Sequence, residues 1–120
     1  MRITLCGSAR FEKDFHDWDE DLTMAGHVVY SLAIYPSSKA GVKDWYDEKQ
    51  KVTLDLIHLA KIDNSDAVVV INVGGYVGQS TAREVEWARI KGKTIYYVEP
   101  VEGAGWTADQ LLPGGEAHGR

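Results

Sequence analysis

Glu84 closes the stretch Ser80-Thr81-Ala82-Arg83-Glu84, which follows the glycine-rich segment Gly74-Gly75-Tyr76-Val77-Gly78. A carboxylate at such a loop-to-helix junction can act as a nucleophile or as an acid/base group. The same spacing also has a purely structural meaning: Thr81 as N-cap with Glu84 three residues on is a capping box. Local pattern leaves both open. A second constellation is Gly7-Ser8-Ala9-Arg10, with Phe11 next. Glycine lets a ligand approach the backbone, N–H groups and the Ser8 hydroxyl can donate to an anion at a helix N-terminus, and Arg10 can clamp it in bidentate fashion. The alternative is a tight turn with a surface arginine. A Cys-x5-Arg phosphatase loop would need arginine at position 12, where Glu12 stands, and neither a Walker loop nor Gly-x-Gly-x-x-Gly occurs. Cys6 reads as a small buried hydrophobe. His58 has no second His or Cys at a metal-ligand spacing, so no metal site is expected. Asn72 can bond a sugar hydroxyl or cap its loop, and Tyr30, Tyr35, Trp45 and Tyr76 can stack on a base or simply pack.

These residues need a frame. Ile3-Thr4-Leu5-Cys6, His27-Val28-Val29-Tyr30, Ala67-Val68-Val69-Val70-Ile71 and Thr94-Ile95-Tyr96-Tyr97-Val98 read as strands. The third, an unbroken apolar run rich in β-branched residues, reads as buried on both faces. Phe15, Trp18, Leu22 and Ala25 mark a first helix, Trp45, Val52, Leu56 and Leu59 a stripe on a second (about 44–61), and 81–91 a third. Alternating strands and helices imply a parallel sheet with right-handed crossovers and a ligand site at the strands' carboxyl ends. The expected class is an α/β, flavodoxin- or Rossmann-like three-layer domain. Its short parallel sheet has four visible strands, with a fifth either absent or in the tail. Residues 1–100 form one α/β nucleotide-binding domain, and 101–120 a partly disordered tail with a short helix around 106–112.

One hundred and twenty residues make one domain. Thirteen Lys and Arg against eighteen Asp and Glu give a net charge of −5, which argues against a nucleic-acid binder. A single cysteine excludes an internal disulfide. No signal peptide or membrane-length apolar run is visible, so a cytoplasmic protein is expected. The acidic first helix reads as a solvated face.

Taken in order, the strand ending in Cys6-Gly7-Ser8-x-Arg10, the run from Asp66 to Val70 and the helix start Ser80-Thr81-Ala82-Arg83-Glu84-Val85-Glu86-Trp87-Ala88 resemble the nucleoside 2-deoxyribosyltransferase-like superfamily. Within it the closer likeness is to deoxynucleoside 5′-monophosphate N-glycosidases. The resemblance runs to about Pro100. It implies cleavage of the bond between a base and C1′ of the sugar, with Glu84 as nucleophile and the Gly7-Ser8-x-Arg10 loop on the 5′-phosphate. By the same likeness, Phe11, Asn72, Gly78, Ser80 and Thr81 join the substrate-binding set. His58 stands where the family's hydrolases carry an aspartate that protonates the leaving base, and Glu86 where a small residue is usual. The loop also resembles, more loosely, that of cytokinin-activating phosphoribohydrolases, which cut the same bond. No cofactor is implied, and a homodimer is. Hydrolysis and base exchange remain alternatives, as do a non-catalytic nucleotide-binding module and an interaction protein docking through its acidic helix.

Overall fold

Period-two alternation in strand β1 (Arg2–Gly7) sends Ile3 and Leu5 to one side of the sheet and Cys6 to the other. Strand β3 (Ala67–Ile71) does the same: Val69 and Ile71 face one layer, Val68 and Val70 the opposite one, and all five residues are buried. The computed structural model describes residues 1–38 and 46–115. Its sheet is wholly parallel, in the order β2-β1-β3-β4, with β2 at Val28–Tyr30 and β4 at Thr94–Tyr97. This is the three-layer α/β architecture expected. Among the described residues the sheet has four strands, and beyond β4 a single parallel bridge joins Tyr97 to Thr107.

Helix α1 (Glu12–Met24) covers one face through Phe15, Trp18 and Leu22. The chain after Pro100 returns to that layer, burying Ala108, Leu111 and Leu112 in the same core, and His27 Nε2 lies 2.9 Å from the Leu111 carbonyl. The expected tail thus packs into the domain as far as Leu112, and residues 116–120 lie outside those described. Helices α2 (Glu48–Asp63) and α3 (Gln79–Ile90) cover the other face, α3 through Val85 and Ala88. Asp47 and Gln50 form a reciprocal capping box that starts α2. Indole Nε1 of Trp87 donates to Asp63 (2.9 Å), tying the helices together.

The buried face of α2 is not the expected stripe. Val52 and Leu56 are 55% and 61% exposed, and Trp45 lies outside the described residues. The helix instead buries His58 and Ile62, one turn apart, with Leu59 half-buried. A histidine on the inward face hides that face from any apolar count. No helix among the described residues is long and apolar enough to cross a membrane.

Candidate active site

The chain passes from β1 outward to β2, then crosses back over β1 to β3, so the topological switch lies between β1 and β3. At their carboxyl ends Gly7 pairs with Ile71. A Cβ on Gly7 would stand 2.9 Å from the Ile71 carbonyl oxygen and 3.3 Å from Phe15, so only glycine fits here. Close approach is required first of all by the neighbouring strand.

An open cleft of about 170 Å³ lies above this point, lined by Gly7, Ala9, Asp55, His58, Lys61 and Glu84 among others. A second cavity, about 280 Å³, shares Asp55 and Glu84 and adds Ser80, Arg83 and Trp87. Glu84 therefore stands between two openings. Three elements meet there. Cys6 projects from β1 toward the α2/α3 layer, His58 comes from α2 and Glu84 from α3. Nε2 of His58 lies 3.7 Å from Cys6 Sγ and 3.8 Å from Glu84 Oε1.

The electrostatics of the three are set by burial. Glu84, with its side chain 16% exposed, has its pKa pushed up to about 7, first by desolvation and then by the charge of Asp55. His58 is pushed down to about 4 by desolvation and by the Lys61 cation, against a hydrogen bond to the Leu5 backbone that acts the other way. Burial, with Glu84 beside it, holds the Cys6 thiol well above its ordinary value. Between about pH 4 and 7 the His58–Glu84 contact is thus one of neutral groups and not an ion pair. A neutral imidazole has one N–H. Cys6 and Glu84 both hold protons on the Nε2 side, which assigns the ring proton to the nitrogen facing Leu5 and leaves Nε2 an acceptor.

Thr81 is not a helix cap. Helix α3 begins at Gln79 with Gly78 as its N-cap, so Thr81 lies inside the first turn, 4% exposed. Glu84 sits in the second turn and is free of the capping-box role. Asn72 is engaged within the fold: its amide donates to the Glu99 carbonyl (2.9 Å) and its oxygen accepts from the Glu99 N–H (2.8 Å), so it laces β3 to the chain after β4. Glu99 in turn accepts from the N–H of Gly74, which holds φ +64° beside Gly75 at +79°.

Gly7 and Ala9 carry the first loop into the cleft, whereas Ser8 and Arg10 lie beside it. The Ser8 hydroxyl caps the Ala9–Phe11 turn by accepting from the Arg10 N–H. The Arg10 guanidinium lies 4.2 Å from the centre of the Tyr76 ring, and Phe11 meets that ring edge-on. Tyr76 thus links the first loop to the glycine loop, a contact between residues sixty-six apart that sequence pattern does not announce. Gly78 abuts the same tyrosine. Two cationic cleft residues escaped sequence reasoning: Lys61, which donates to the Ser31 carbonyl (2.7 Å), and Lys51, paired with Asp55 at 2.8 Å. Their signal was weak, because lysines on a helix usually mean only a solvated face.

No family model matches the chain, and no curated protein matches it. Among solved structures it is similar to a 2-deoxyribosyltransferase from Bacillus psychrosaccharolyticus, with a TM-score of 0.60, 15% sequence identity, and coverage of 93% of this chain and 96% of the other. At that identity the likeness is one of fold, and it spans the whole α/β layer arrangement.

Proposed function

We propose that the chain cleaves the N-glycosidic bond of a nucleoside 5′-monophosphate, with Glu84 as nucleophile. The observation that carries this reading is a mostly buried carboxyl at the switch point, set between two openings and poised to titrate near neutrality. The solved neighbour, a 2-deoxyribosyltransferase, acts on the same kind of bond, which supports the class of reaction.

In this reading the Glu84 carboxylate attacks C1′ through an oxocarbenium-like transition state. The C1′–N bond breaks, its electron pair leaves with the base, and the base takes a proton from solvent in the open cleft. Water then releases the sugar phosphate and regenerates Glu84, or a second base replaces the first. His58 was expected to protonate the leaving base. With its N–H turned to Leu5 it is instead a positioning residue, an acceptor that steers Glu84. Ser8 and Arg10 hold the 5′-phosphate, whose remote binding energy orients the sugar. Ser80 lines the approach beside Glu84. The working form is a homodimer, supported by the outward apolar face of α2, where Val52, Leu56 and Ile57 are each more than half exposed.

The test is chromatography of free base released from a panel of ribo- and deoxyribonucleosides and their monophosphates. Arg10→Ala should weaken nucleotide binding by about 1.5–3 kcal/mol per lost charged contact and leave nucleoside binding alone. Nucleotide binding without base release on any substrate would favour a non-catalytic module and overturn the enzymatic reading.

A further inference from the structure

We propose that Cys6, His58 and Glu84 together form a three-ligand site for a soft divalent transition metal, with zinc(II) the best match. The three donor atoms, a sulfur, an imidazole nitrogen and a carboxylate oxygen, all lie within 4.8 Å of one another. Ordinary zinc bond lengths to such donors imply donor–donor edges of about 3.4–3.6 Å in a tetrahedron. The Cys6–His58 and His58–Glu84 separations of 3.7 and 3.8 Å are already near those values. Glu84, the least buried of the three and the one that borders both openings, has the freedom to close the remaining edge.

A second feature points the same way. Histidines that bind metals nearly always spend their other ring nitrogen on a carbonyl or carboxylate. The His58 ring is bonded to the Leu5 backbone, which leaves Nε2 free for a metal. The donor set decides the metal class, because thiolate and imidazole select zinc or copper over magnesium and calcium, which take oxygen. Binding displaces the thiol proton to solvent and forms a sulfur–metal bond. The fourth position faces the cleft and is left to water.

Occupancy would engage Glu84 and so block base release. That consequence rests on the proposed role of Glu84, whereas the binding does not. The experiment is titration of the full chain with cobalt(II) as a spectroscopic stand-in, and with zinc(II) in competition with a chromophoric chelator. Expected are one equivalent bound, a thiolate-to-cobalt charge-transfer band that vanishes in Cys6→Ala, and a loss of zinc affinity of at least about tenfold in His58→Gln and in Glu84→Gln. Absence of the charge-transfer band in the parent chain overturns the site. So does zinc affinity unchanged in either of the last two variants, since binding then belongs to a surface imidazole such as His16. Those two variants decide the matter if Cys6→Ala does not fold. Zinc bound on these ligands with base release undiminished would uphold the site and count against Glu84 as nucleophile.

Discussion

At neutral pH about half of the Glu84 carboxyls carry a proton, since the group titrates near 7. A nucleophile must be ionised, so base release should climb with pH through a midpoint near 7 and level off above it, as initial rates across a buffer series would show. Stability runs the opposite way. The folded chain holds the Glu84 proton from the ordinary 4.5 up to about 7, so this group's contribution falls as pH rises through that window. His58, lowered from 6.5 to about 4, makes stability rise between those values, and the two slopes oppose each other from about pH 4.5 to 6.5. Above 7 only the Glu84 cost remains, at most about 3 kcal/mol. Glu84→Gln should therefore abolish base release and melt higher than the parent at pH 8, with the gain shrinking toward pH 5. A melting temperature lowered at pH 8 would show the carboxylate to be a structural partner. Asp55→Asn removes a charge that holds the Glu84 pKa up, and so should move the midpoint of the pH–rate curve lower. Turnover lost at every pH would instead make Asp55 the proton donor.

The elements around the site are held by bonds that span the sheet's carboxyl edge. Asn72, Glu99 and Gly74 form one such lacing, in which both the nitrogen and the oxygen of the Asn72 amide bond the Glu99 backbone. Asn72→Ala would take away the side-chain partners of the Glu99 N–H and carbonyl, two hydrogen bonds in all. It should cost about 1–3 kcal/mol in denaturant unfolding while nucleotide affinity stays the same. Weakened binding at unchanged stability would return Asn72 to the sugar. Helix α2 was legible as a helix but not in its rotation. Its apolar residues Val52 and Leu56 face outward, because the inward positions are taken by His58 and Ile62.

For the molecule as a whole, that outward face argues for a partner. Light scattering at micromolar concentration should give about twice the 13.3 kDa chain mass, and Leu56→Asp should return it to a monomer. A monomeric parent would leave the exposed α2 side chains without the proposed role.

Much of the frame was written along the chain. The five buried residues of β3, the alternation of strands and helices, and the loops after β1 and β3 are local signals, because burial on both faces of a parallel strand demands a continuous apolar run. They placed Glu84 and the Ser8–Arg10 loop at the same edge. Tertiary structure alone decided that Glu84 is not a cap, since where α3 starts depends on Gly78 and the glycine turn before it. It alone showed that Asn72 serves Glu99 and that Arg10 rests on Tyr76. The same holds for the meeting of Cys6 and His58, fifty-two residues apart. Periodicity records the average polarity of a face. A polar side chain buried against two other elements is invisible to that average, because its partners are supplied by the fold and not by its neighbours in sequence.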